Sequence, residues 1–129
     1  MSRKLFLMCL IGVLSITSAY AKCDGGTQIT NSAGTTFCKS NVTMNWWSSL
    51  VWCKANGMHL ASMYELCPTW DGTSGSGKCA ELSGEEFSGL VWTATASGDY
   101  QAYCVEADRV HSTCHRNDGS GSATALCAP

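Results

Sequence analysis

The sequence predicts a small exported α+β domain, with two helices and a small antiparallel sheet joined by long loops, that is held together by disulfides. Three observations lead to this class: a leader-like N-terminal segment, eight cysteines after it, and one helical pattern surrounded by short strand-like runs. A chain of 129 residues has the length of one domain. Small exported domains of this kind commonly supplement a modest core with disulfides.

Residues 1–21 have the pattern of a secretory signal peptide. Two basic residues precede an apolar run from Leu5 to Ile16, and a small-residue Ala-Tyr-Ala site ends the segment. The apolar run is too short to cross a bilayer comfortably. We therefore expect a mature domain of residues 22–129, secreted to the extracellular space, the periplasm or the cell surface, with no membrane span.

The charge of the mature domain argues against polyanionic partners. Loss of Arg3 and Lys4 with the leader leaves six of the eight basic residues against ten acidic ones, a net charge near −4. Proteins that bind nucleic acid or anionic membranes concentrate positive charge instead. We expect no nucleic-acid partner and expect the partner to be an extracellular protein or glycan.

Eight cysteines of the mature domain indicate four disulfides. They are Cys23, Cys38, Cys53, Cys67, Cys79, Cys104, Cys114 and Cys127. On the order of a hundred pairings are possible, and spacing alone does not choose among them. Zinc is the competing explanation of dense cysteines, but the C-x-x-C pairs common in structural zinc sites do not occur here. We expect no metal and no other cofactor.

The segment NWWSSLVWCKANG predicts the principal helix. Thr43 or Asn45 is a suitable N-cap, and Asn56-Gly57 is a stop signal. The apolar positions recur at helical spacing and form a stripe about two residues wide: Trp46, Leu50 and Cys53, with Trp47 and Val51 beside them. We expect this stripe, tryptophans included, to be buried.

The other elements are shorter. Ser62 and Glu65 have the spacing of a capping box, which predicts a second helix from Ser62 that stops before Pro68. The segment from Cys23 to Lys39 reads as a hairpin, and residues 69–89 read as long surface loops. Four further strand-like runs begin at Leu90, Tyr100, Arg109 and Ser122. If the second and third of these form a hairpin near Asp108, Cys104 and Cys114 would face each other.

The order of these elements resembles the C-type lectin-like fold. In particular it is similar to its exported bacterial branch, the fibrobacter-type and Legionella collagen-like C-terminal domains. The matching pieces are the helix that ends in Trp52-Cys53, then Gly57, the HLAS run with Glu65, the VWTAT run at residues 91–95, and a final cysteine. The resemblance covers roughly residues 38–128.

The resemblance implies a set of disulfides. It pairs Cys53 with Cys127, Cys104 with Cys114 and Cys23 with Cys38, which leaves Cys67 for Cys79. The E-P-N, Q-P-D and W-N-D motifs of calcium-dependent sugar-binding members are absent, and the loop carboxylates are scattered. Calcium-dependent carbohydrate binding is therefore not expected.

Three patterns in the sequence resemble chemical sites without completing one. GTSGSGK at residues 72–78 resembles a phosphate-binding loop, but Cys79 follows it where a serine or threonine is needed, and no strand precedes it. His111, Cys114 and His115 could bind a metal, yet Cys114 has a good disulfide partner. No serine lies in a nucleophile-elbow pattern. We therefore expect no enzymatic activity.

The segment from Asp99 to Ser122 is the candidate ligand surface, since related lectin-like proteins use the corresponding region. It is rich in the polar and aromatic groups typical of adaptable binding loops. Its candidate residues are Tyr100, Gln101, Tyr103, Glu106, Arg109, His111, His115, Arg116, Asn117 and Asp118. The expected role is a non-catalytic ligand-binding or adhesion module, with an ordinary solvated strand edge as the plain alternative for this segment. An assembly subunit of a cell-surface appendage is the second expectation for the protein.

Overall fold

A computed structural model describes residues 22–82, 89–117 and 123–129. The predicted leader, together with Asp118 and Ser122, lies outside these residues. The described part contains two α-helices and seven strands, in agreement with the predicted α+β class. In chain order the elements are β1 (Gly26–Thr30), β2 (Thr36–Met44), α1 (Trp46–Ala55), β3 (His59–Leu60), α2 (Met63–Leu66), β4 (Leu90–Gly98), β5 (Gln101–Glu106), β6 (Arg109–His115) and β7 (Ala123–Ala128).

The seven strands form one mostly antiparallel sheet, in the order β1-β2-β7-β4-β5-β6, with β3 also paired to β7. One neighbouring pair, β4 and β7, runs parallel, through Val91 and Thr124. The predicted α+β class, with two helices and a small antiparallel sheet, is confirmed apart from this one parallel pairing. The last strand, β7, pairs with β2 and β4 and so joins the N-terminal hairpin to β4–β6.

The sheet has a hydrophobic core on each face. Successive strand residues point to opposite faces. Thus Trp92 packs with Trp46 and Cys53 of α1, whereas its neighbour Val91 packs with Leu66 of α2 on the other side. Helix α1 covers one face, and α2 with the segment after it covers the other.

Helix α1 is rotated relative to the predicted stripe. Asn45 is the N-cap, as one of the two alternatives predicted, and its side chain accepts the Ser48 N–H at 2.8 Å. The buried positions are Trp46, Ser49 and Cys53, while Trp47 is 53% and Val51 69% exposed. The prediction that Trp47 and Val51 are buried was wrong, because a helix lying on one sheet face buries a single narrow side.

Helix α2 forms as predicted, and the segment after it is irregular and largely exposed at residues 71–78, as predicted, but it is anchored in the core. Both hydrogen bonds of the Ser62–Glu65 capping box are present. The segment predicted to be a surface loop is held in the core by three buried residues, Trp70, Cys79 and Leu82, and has a short 3-10 helix at Ala80–Leu82. The sequence prediction missed these three anchors because the Gly- and Ser-rich composition of the segment does not reveal them. Residues 83–88 lie outside the described part.

Four disulfides occur in the described part. They join Cys23 to Cys38, Cys53 to Cys127, Cys67 to Cys79 and Cys104 to Cys114, the same pairs that the resemblance implies. The last bridge is diagonal, since Cys104 lies opposite His111 and Cys114 opposite Ala102. The predicted β5–β6 hairpin is confirmed, but an irregularity between Ala102 and Cys104 shifts its register, so the two cysteines do not face each other directly. No helix in the described ranges has the length and apolar character to cross a membrane.

Candidate binding surface

The residues of the predicted ligand segment lie at two separate places on the β5–β6 hairpin. Glu106, Arg109 and His111 are near its turn, and Gln101 pairs with His115 at its open end. Five residues of extended strand separate the two ends, a distance of about 16 Å. The segment is therefore two surfaces rather than one.

The turn end is a solvated charge cluster. Glu106 and Arg109 are exposed cross-strand partners, and the Glu106 carboxylate lies 3.7 Å from Nε2 of His111. Exposed charge pairs of this kind contribute little free energy. Tyr103 belongs to neither end, because its ring packs edge-on to Trp70 with centroids 4.8 Å apart.

The open end of the hairpin is fastened to helix α1 by Arg116. Its guanidinium carbon lies 5.0 Å from the ring centroid of Trp46. Its Nη2 donates to the carbonyl of Gly98 at 3.2 Å and also to that of Asp99. Because a cation over an indole ring is attracted to it, Arg116 stabilises the junction between α1 and the hairpin. We assign Arg116 to the base of the surface rather than to its exposed part.

Asn117 makes a second link to the same helix. Its Oδ1 accepts the indole N–H of Trp47 at 3.1 Å. The Trp47 ring in turn stands edge-on to Trp46, with centroids 4.8 Å apart and planes at 88°. Trp47 is thus held in place although half of it is exposed, and it lies beside residues that follow it by about seventy positions in the chain.

These contacts define a surface that we call the Trp47–Tyr100 surface, formed by Trp47, Tyr100, Arg116 and Asn117. Tyr100 is 69% exposed, and its carbonyl accepts the Arg116 N–H at 2.9 Å. The sequence prediction included three of these residues and missed Trp47. The signal that could have found it is that Trp46 and Trp47, being adjacent, cannot both point into one narrow buried side of a helix.

A shallow apolar groove continues from this surface along α1. Its volume is about 560 Å³, and it is lined by Met44, Trp47, Ser48, Val51, Trp52 and Ala55. The lining contains one hydroxyl group, that of Ser48, and no charged side chain. We call this feature the α1 groove.

The carboxyl groups with shifted pKa values lie elsewhere and have structural partners. Hydrogen bonds from Lys78 and Thr73 hold the pKa of Asp71 well below its ordinary value. Burial opposes the ionisation of Glu81, but hydrogen bonds, chiefly from Thr69, outweigh it and lower the pKa of that carboxyl. Lys78, the lysine of the GTSGSGK segment, is thus engaged with Asp71 at 2.8 Å.

Potential metal ligands form one cluster within the described ranges. It consists of Cys67, Cys79 and Glu81, whose ligand atoms lie within 4.8 Å of one another. Cys67 and Cys79 are joined to each other, so their sulfurs are not thiolate ligands. The same applies to Cys114 in the alternative set with His111 and His115, because Cys114 is bonded to Cys104.

Comparison of the chain with protein-family models, with curated proteins and with solved structures finds no significant match. A function is therefore inferred from the residues of this chain alone. Of the predicted site residues, the structure brings Tyr100, Arg116 and Asn117 together with Trp47, and places Gln101 and His115 beside them on the hairpin. Glu106, Arg109 and His111 lie apart, and Asp118 is outside the described residues.

Proposed function

We propose that this protein is an exported, non-catalytic binding module that presents the Trp47–Tyr100 surface to an extracellular protein or glycan. The observation that carries the proposal is the pair of exposed aromatic side chains, Trp47 and Tyr100, on a base formed by Arg116 and Asn117. Tyrosine and tryptophan have few rotatable bonds, so a rigidly held ring contributes contact area at a small entropy cost.

The proposal includes the C-type lectin-like fold. It is supported by the order of the elements, by the four disulfide pairs, and by the bridge between the first long helix and the last strand, Cys53 to Cys127. Four disulfides are also typical of proteins that mature in an oxidising compartment, which supports export.

The proposal of no catalytic activity is supported by two observations. No serine lies in a nucleophile-elbow pattern, and the eight cysteines of the described residues all form disulfides. Glu65, Asp71 and Glu81, the described carboxyls whose pKa is clearly shifted, are each held by hydrogen bonds within the fold, which lower the pKa.

The first test is retention of the oxidised, exported protein on arrays of glycans and of extracellular proteins. We expect Tyr100→Ala and Trp47→Ala each to weaken retention about tenfold or more, as for aromatic residues at the centre of an interface. The matched control is Glu106→Gln with Arg109→Gln, at the turn end of the same hairpin, which should retain as the wild type does.

Equal retention of Tyr100→Ala, Trp47→Ala and wild type would contradict the proposal. Concentration-dependent self-association without retention on either array, measured by sedimentation, would favour the alternative role of an assembly subunit. In that case the same two substitutions should keep the protein monomeric.

A further inference from the structure

We infer that the α1 groove receives a large apolar side chain of a protein partner, with an acidic residue of that partner next to Lys54. The inference rests on the proposed binding function and names the class of ligand for the surface that continues into the groove. It combines the lining of the groove, the hydrogen bond of Trp47 and the charge along α1.

The lining of the groove suits an apolar group. Its volume of about 560 Å³ exceeds that of one side chain, and five of its six lining residues are apolar: Met44, Trp47, Val51, Trp52 and Ala55. Val51 is 69% exposed at the centre of this stretch of helix. Covering such side chains with an apolar group of a partner removes their surface from water, which is favourable.

The same lining is unsuited to a sugar. A sugar ring brings several hydroxyl groups, each of which needs a hydrogen-bond partner once it leaves water. The lining side chains offer few such partners, the hydroxyl of Ser48 and the indole N–H of Trp52, because the indole N–H of Trp47 already donates to Asn117. Among the two ligand classes of the proposed function, the groove therefore favours a protein over a glycan.

The charge on α1 gives the partner its second feature. Lys54 is the sole charged residue of the helix and lies in its last turn. Trp47, Val51 and Lys54 are spaced i, i+4, i+7, which places them along one exposed side of the helix. Lys54 lies about one helical turn beyond Val51, and no acidic side chain lines the groove. A partner whose apolar residue is seated in the groove can therefore place one of its own carboxylates next to the Lys54 ammonium group.

An array of synthetic peptides tests this inference. Each peptide carries Leu, Phe, Trp or, as control, Ser at its centre, and either Asp or Lys at the flanking positions. We expect the oxidised protein to retain the peptides with an apolar centre and Asp flanks. Val51→Asp should weaken this retention about tenfold or more, as expected for a central contact.

Val42→Asp is the matched control, because Val42 is also exposed, at 64%, but does not line the groove. It introduces the same charge and should retain the peptides as the wild type does. An unchanged thermal midpoint for both variants shows that folding is not affected.

A second pair of variants tests the charge. Lys54→Glu should shift the preference from Asp-flanked to Lys-flanked peptides. Lys39→Glu makes the same charge change on β2, outside the groove, and should leave the preference unaltered. Equal behaviour of the two lysine variants would overturn the acidic part of the inference.

Three outcomes would overturn the inference as a whole. The first is retention of glycans alone, and the second is equal peptide retention by Val51→Asp and Val42→Asp. The third is binding to phosphatidylserine vesicles, weakened by Val51→Asp, without retention of any peptide. If Tyr100→Ala loses binding and Val51→Asp does not, the proposed binding function stands and the inference about the α1 groove is rejected. If neither substitution affects binding, both the proposed function and the groove inference are rejected.

Discussion

Ser62 and Glu65 show how two side chains set the start of a helix. The Ser62 hydroxyl accepts the Glu65 N–H at 3.1 Å, and the Glu65 carboxylate accepts the Ser62 N–H at 2.9 Å. The other carboxylate oxygen lies 2.7 Å from Nε2 of His59. Partial burial disfavours ionisation of Glu65, but these hydrogen bonds and the neighbouring histidine outweigh it and lower the pKa of the carboxyl.

We predict that Glu65→Gln is less stable than the wild type at neutral pH and equally stable in acid. A carboxyl whose pKa is lowered by folding stabilises the protein above its unfolded-state pKa, and that contribution is lost as the pH falls through the folded-state pKa. The free energy of unfolding should therefore converge for the two proteins below the ordinary pKa of 4.5. Urea unfolding across this range measures it.

The control for this prediction is Ser62→Ala, which removes the cap rather than the charge. It should lower the free energy of unfolding by about 1 kcal/mol at neutral pH, the usual cost of losing an N-cap. Equal stability of Glu65→Gln and wild type at neutral pH would contradict the assigned role of the carboxylate.

At the scale of elements, two buried indoles set the position of helix α1 and of the strand before it. Trp46 donates its ring N–H to the carbonyl of Thr93 at 2.9 Å, and Trp92 donates its own to the carbonyl of Met44 at 2.7 Å. The first bond joins α1 to β4 and the second joins β4 to the end of β2. Together they fix the side of α1 that is buried, and hence leave Trp47 and Val51 facing out.

We predict that Trp92→Phe lowers the free energy of unfolding by about 1 to 3 kcal/mol, since it leaves the Met44 carbonyl without its donor. Some further loss will come from the smaller ring in a well-packed core. The matched control is Trp47→Phe, whose lost bond to Asn117 is exposed, and which should cost about 0.5 kcal/mol or less. Equal costs for the two variants, measured by denaturant unfolding, would show that the buried bond does not position α1.

At the scale of the whole molecule, the Cys53–Cys127 disulfide joins the principal helix to the central strand of the sheet. It spans 74 residues, whereas Cys67–Cys79 spans 12. A bridge that closes a longer loop removes more conformational entropy from the unfolded chain. The long bridge therefore restrains the overall topology, and the short one restrains a local segment.

We predict that replacing both members of Cys53–Cys127 by alanine costs about 4.5 kcal/mol, against about 3 kcal/mol for Cys67–Cys79, on the chain-entropy estimate. Denaturant unfolding of the two double variants measures the difference. Peptide mapping of the wild type without reduction should recover the Cys53–Cys127 peptide. A different partner for Cys53 would contradict both this ranking and the proposed lectin-like fold.

The sequence by itself determined the local structure and the class of the protein. The Asn45 cap, the Ser62–Glu65 capping box, the β5–β6 hairpin and the α+β class all follow from short-range patterns of hydrogen-bonding and apolar residues, which act within a few positions of the chain. The four disulfide pairs came from the resemblance to a fold family, since the spacing of the cysteines alone leaves many pairings open.

The tertiary structure decided which side of α1 is buried, how far the sheet extends, and where a binding surface can form. Trp46 meets Thr93 across 47 positions, and Trp47 meets Asn117 across 70. Periodicity specifies that a helix has an apolar side, but the contact that sets its rotation comes from a distant strand. For this reason Trp47 looked like a core residue in the sequence, whereas in the folded protein it is the exposed centre of the candidate surface.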